Sequence, residues 1–107
     1  MKIPLLEYQV ITSSGDTIGS GSRVCILNSA SALAVTGPTP AEGDLLVIVG
    51  GLSTSTTDHT VTLPSGVTWD GTNDVATFGD NGDMLMCVGT SATRWQIVQN
   101  TGSVAFS

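Results

Sequence analysis

The sequence predicts an all-β protein: a single small antiparallel β-sandwich or barrel with short hairpins and little or no helix. Three observations carry that expectation. No stretch of the 107 residues shows an apolar stripe at helical spacing, and the strong helix formers Glu, Lys and Arg are scarce. Short runs rich in Val, Ile and Thr recur instead, the side chains that fit a pleated, half-buried surface. Clusters of Gly, Pro, Asn, Asp and Ser separate them, as turns require.

Taken in chain order, the runs place strands at residues 8–11, 23–28, 32–36, 44–49, 59–63, 74–78, 84–88, 94–99 and 104–106. The first, Tyr8-Gln9-Val10-Ile11, is followed by Gly15-Asp16-Thr17-Ile18-Gly19-Ser20-Gly21-Ser22, which is glycine-rich but has no Walker lysine and reads as a flexible turn. Gly37-Pro38-Thr39-Pro40-Ala41-Glu42-Gly43 separates the third and fourth strands, because neither proline can donate to a ladder. The low-complexity stretch at residues 53–58 reads as a polar surface loop. In the fifth strand Val61 and Leu63 point inward and Thr60 and Thr62 outward; in the eighth, Trp95 and Ile97 share the face opposite Arg94 and Gln96. Pro64-Ser65-Gly66 and Trp69-Asp70-Gly71 add turns. Asn81-Gly82, between Phe78 and Met84, reads as a tight hairpin turn.

One internal echo is present. Gly43-Asp44-Leu45-Leu46-Val47-Ile48-Val49-Gly50 and Gly82-Asp83-Met84-Leu85-Met86-Cys87-Val88-Gly89 share the pattern Gly-Asp-apolar-Leu-apolar-apolar-Val-Gly. Two copies are too few for a solenoid, so the echo is read as pseudo-symmetry inside one domain. That domain spans residues 11–107, with residues 1–10 either an N-terminal arm or the domain's own first strand.

Composition narrows the function. Nine Asp and Glu against three Lys and Arg leave a net charge of -6, and only 11% of residues are charged, where a typical soluble domain has about 25%. Lys2, Arg23 and Arg94 cannot form the basic stripe that phosphate neutralisation needs, so no nucleic-acid partner is expected. Mean hydropathy is nevertheless +0.27. A surface with so few charges points to a chain that lives in an assembly. The opening residues lack the apolar core of a signal peptide, and the run from Leu45 to Leu52 is too short for a spanning helix. No membrane is expected, and synthesis in a cytoplasm is.

The chemistry is thin. His59 is the single histidine, has no Gly-x-Ser-x-Gly elbow to serve, and reads as an exposed turn residue rather than a catalytic base. Cys25 and Cys87 sit in apolar runs and read as buried free thiols, with a bridge between them the minority alternative. Asp70, Asp74, Asp80 and Asp83 offer oxygen ligands for calcium, but at no EF-hand spacing, and aspartate also favours turns for its own hydrogen bonding. Phe78 and Trp95 read as core, and Trp69, beside Asp70-Gly71, as the aromatic most exposed to solvent. No catalytic residue, cofactor or metal is expected.

A resemblance enters with Gly82-Asp83-Met84-Leu85-Met86-Cys87-Val88 followed by Thr93-Arg94-Trp95-Gln96-Ile97-Val98-Gln99-Asn100, together with Val35-Thr36-Gly37-Pro38, Val61-Thr62-Leu63-Pro64 and the segments at 24–28 and 43–49. The pattern resembles small virion proteins of tailed bacteriophages, chiefly head decoration (cement) proteins and related fibre modules, over most of the chain from Arg23 onward. The resemblance implies a non-enzymatic, β-rich protein on the outer capsid surface of a virion. It would bind the major capsid protein as a homotrimer and clamp the shell. It also implies that an N-terminal segment takes part in attachment, and here Ile3, Leu5, Leu6 and Tyr8 form the apolar set able to do so. A tail-fibre or receptor-binding module is the alternative.

Overall fold

The computed structural model describes residues 6–51 and 58–107. Within them the chain forms strands and turns with no helix, hence none long and apolar enough to cross a membrane. The strands are β1 (Glu7–Ile11), β2 (Arg23–Leu27), β3 (Ala34–Thr36), β4 (Leu45–Gly50), β5 (His59–Thr62), β6 (Val75–Phe78), β7 (Met84–Ser91), β8 (Arg94–Thr101) and β9 (Ala105–Phe106). Each matches one of the Val/Ile/Thr-rich runs. Residues 10 and 11 both lie in β1, so that strand crosses the expected boundary between arm and domain.

The strands form a five-stranded sheet ordered β1-β2-β4-β7-β8 and a four-stranded sheet ordered β3-β5-β6-β9. Neither is wholly antiparallel, which corrects the expected pairing. β1, β2 and β4 run parallel, as do β3 and β5; the remaining pairs are antiparallel. The reason lies in the connections. Parallel neighbours need a crossover, and here the crossover is made by the other sheet. After β1 the chain passes beside β3, where Thr17 bridges Thr36, and returns as β2; it then crosses to β3, back to β4, and over again to β5. The first half of the domain thus reaches the other sheet at every connection, while the second half also folds back within a sheet, at β5–β6 and β7–β8, between its crossings.

The turn before β7 is a second correction. Gly82 has φ 84°, but among the described residues none other than glycine has a positive φ, so Asn81-Gly82 is not the primed hairpin turn expected. Positive φ at the third position alone is the type II pattern, and this turn carries the chain from β6 in one sheet to β7 in the other. The two-residue hairpin lies elsewhere, at Ala92-Thr93, where Ser91 pairs with Arg94. Ser91 Oγ accepts from Thr93 N at 3.2 Å, and register shifts between Met86 and Cys87 and between Gly89 and Ser91 add the twist that a non-primed turn lacks.

The echo proves to be a local two-fold. β4 and β7 are antiparallel neighbours, and Val47 stands opposite Met86, its own counterpart in the repeat. Their entry turns match. Asp44 Oδ2 accepts from Ala41 N at 3.1 Å and Asp83 Oδ2 from Asp80 N at 3.2 Å, each three residues back, across a glycine at φ 86° and 84° respectively.

The sheets share one core. Cys25, Leu27, Leu46, Ile48, Leu85, Cys87 and Trp95 enter it from the five-stranded sheet, and Val35, Val61, Ala76 and Phe78 from the other. Connecting segments seal it with Ile18, Leu33, Leu63, Val67 and Trp69. Trp69 is fully buried, against the expectation of exposure. The Asp70 carboxylate accepts from the backbone of Thr72 and Asn73 and from Asn73 Nδ2, and Trp69 N donates to Asn73 O at 2.8 Å, so the turn bends outward while the indole turns in.

Candidate functional site

Period-two alternation decides which side chains each sheet shows to solvent. On the four-stranded sheet the outward row Ala34, Thr60, Thr77 and Ala105 is small and hydroxylic, and Thr36, Thr62 and Val75 continue it. The five-stranded sheet differs. Its outward rows run Tyr8, Val24, Val47, Met86 and Gln99, and Val10, Ile26, Val49, Met84 and Thr101. A further pair, Leu45 opposite Val88, lies beside them. No charged side chain interrupts the two rows. Within these rows Tyr8 and Val10 are exposed, Val24, Val47, Val49, Met84 and Met86 are half-buried among their neighbours, and Ile26 is buried; this aliphatic and thioether surface is the candidate functional site.

Its open end is β1, which pairs with β2 on one side and, among the described strands, with nothing on the other. Tyr8 is 68% exposed, Leu6 45% and Val10 43%, and Val98 on β8 is 58% exposed at the opposite edge. Of the residues expected to make contacts, Leu6 and Tyr8 therefore sit together at the open edge, while Ile3 and Leu5 lie outside the described residues. Sequence reading missed Val10, Val24, Val47, Val49, Met84 and Met86. A signal was available. β4 and β7 are apolar at nearly every position, the pattern of strands covered on both faces. One side of each is covered here by the core.

The inward side of β1 is anchored by polar groups. Gln9 Oε1 accepts from Gly19 N and from Arg23, both at 3.0 Å, and Arg23 also donates to Ser20 O at 3.1 Å. These bonds tie the glycine-rich crossover beneath the strand, so β1 belongs to the sheet and only its outer face and edge are free among the described residues.

The other chemically active side chains are accounted for by structure. His59 is 2% exposed, not a surface turn residue as expected, and its Nδ1 accepts from Leu33 N at 3.1 Å. That bond fixes the neutral tautomer with the proton on Nε2, and burial holds the imidazole below its ordinary pKa of 6.5 against the pull of Asp58. Cys25 and Cys87 are buried free thiols, as expected. Burial pushes Cys25 up to about 11, despite Arg23 nearby, and Cys87 up to about 12; Cys87 Sγ lies 3.6 Å from Leu46 O, its acceptor. The four aspartates do not converge. Asp70 closes its own turn, and those backbone bonds lower its pKa. Asp80 and Asp83 share a turn, with Asp83 buried and accepting from Asp80 N and Ser103 N. Among the described residues no three His, Cys, Asp or Glu side chains gather as metal ligands would.

Compared with protein-family models and with curated protein sequences, the chain matches none.

Proposed function

We propose that this chain is a non-enzymatic structural protein that works by docking: a decoration protein bound to the major capsid protein on the outer surface of a phage capsid, where as a homotrimer it stabilises the shell. The observation that carries this reading is the open strand edge of β1, where the charge-free apolar surface of the five-stranded sheet ends and Tyr8 is 68% and Leu6 45% exposed. Large contiguous apolar surfaces on soluble proteins mark sites of association. An open edge adds backbone donors and acceptors for a partner strand. Several modest contacts made at once by linked copies would hold a lattice tightly. The acidic balance suits an outer surface and disfavours DNA.

The test is attachment to empty, expanded capsids measured by co-sedimentation. Leu6→Asp combined with Tyr8→Asp replaces two exposed apolar side chains, so the fold should survive while attachment falls at least tenfold. Full attachment by the folded double variant would remove the β1 edge from the shell contact. Binding of the unaltered protein to host cells and not to capsids would favour the fibre-module reading instead.

A further inference from the structure

We infer that the outer face of the five-stranded sheet is covered by a second copy of this chain, packed sheet against sheet, so that β1's edge and the broad face are two separate interfaces. This rests on the proposed self-association of the chain and goes beyond it: identical faces meet about a two-fold axis and close as a pair, so a three-fold ring on the shell would use other surfaces. Three features single out a copy as the occupant.

The first is charge. The chain carries -6 overall, yet the rows from Tyr8 through Val24 and Val47 to Met86 and from Val10 to Met84 hold no charged group. This is the surface through which two acidic copies can approach without setting carboxylate against carboxylate, a juxtaposition that costs several kcal/mol. The second is fit. Sheets pack face to face about 10 Å apart with interdigitating aliphatic side chains, and a copy presents a twisted face of the same size and chemistry. The third is area. Five strands about 4.8 Å apart and five residues at about 3.3 Å each make a face roughly 20 Å by 17 Å. Two such faces, with side-chain relief, bury about 1,000 Å², the lower threshold of a specific interface. Association of the free protein should therefore depend on concentration.

Light scattering after size exclusion tests the inference across a concentration series. The unaltered chain should rise above its monomer mass of 10.9 kDa as concentration increases. Val47→Asp, at the centre of the face, should stay at monomer mass with an unchanged circular dichroism spectrum. Thr62→Asp, on the outside of the other sheet, should associate like the unaltered chain. Should Val47→Asp fail to fold, Met86→Gln, a polar side chain of similar length, replaces it and should shift association at least tenfold to higher concentration. A monomer at every concentration, or unimpaired association of a folded face variant, overturns the inference. Capsid binding is scored separately: a face-dependent oligomer that ignores capsids would sink the decoration reading and leave this one standing.

Discussion

On the outside of the four-stranded sheet Ala34, Thr60, Thr77 and Ala105 stand in one row across four strands; on the outside of the five-stranded sheet Tyr8, Val24, Val47 and Met86 stand in another. Valine and threonine have nearly the same shape and similar preference for strands, so sheet formation does not dictate which is used. Water does. A threonine hydroxyl keeps its hydrogen bonds to solvent, whereas a row of valine and methionine gains by leaving it, at roughly 25 cal/mol per Å². The two faces therefore teach different things: the threonine face is finished by solvent, and the aliphatic face is the one we infer a second copy to cover.

The largest expected effect separates inside from outside on one strand. Trp95 is fully buried and its Nε1 donates to Pro38 O at 3.1 Å, while Gln96 next to it points out. Trp95→Ala should cost about 3–5 kcal/mol, and Gln96→Ala no more than about 0.5. Thermal unfolding checks both, and equal effects would mean that the inward and outward rows are misassigned.

A smaller effect sets the two sheets apart by pH. His59, at the head of β5, has a lowered pKa, so the unfolded chain binds the proton more tightly. Its contribution to stability is complete above pH 6.5 and is lost as pH falls below it, with the Leu33 bond broken on protonation of Nδ1. The thiols under the five-stranded sheet act oppositely. With Cys25 raised to about 11 and Cys87 to about 12 from 9.0, stability is complete below pH 9.0 and lost above it. Urea midpoints should fall below pH 6.5 in a manner His59→Gln suppresses, and above pH 9 in a manner Cys87→Ala reduces. A His59→Gln profile identical to the unaltered one would remove His59 as the acid-sensitive group.

The smallest effect is the finest test of the comparison. Exchanging Val47→Thr and Thr60→Val swaps the character of the two faces while keeping shape. Monomer stability should move by no more than about 0.5 kcal/mol in either case. Association should weaken for Val47→Thr alone, as sedimentation velocity would register; equal weakening by both would erase the distinction between the faces.

Much of this was legible in the sequence, and the failures share a cause. The strands of the described residues each fall on an apolar or β-branched run picked out in the sequence, and Phe78 and Trp95 alternate into the core as their neighbours require. Turn residues say that the chain bends but not which sheet it enters next. Asn81-Gly82 thus looked like a hairpin and is a crossing between sheets, while Ala92-Thr93 carries no glycine and is the hairpin. Trp69 and His59 were misplaced for a related reason: both flank polar turns, yet the side chain direction is set by contacts far along the chain, as with Leu33 N on His59. The apolar face was half visible. Continuous runs such as Met84-Leu85-Met86-Cys87-Val88 announce cover on two sides, but a single chain's sequence does not name the second cover.

Peroxide oxidation of Met84 and Met86, followed by mass spectrometry across a dilution series, tests the central claim on the unaltered protein. Both thioethers lie on the aliphatic face, and their conversion to sulfoxide requires access from solvent. Slow oxidation in concentrated protein that accelerates on dilution is the predicted result. The same rate at every concentration would mean that the face stays open to water and that no copy covers it.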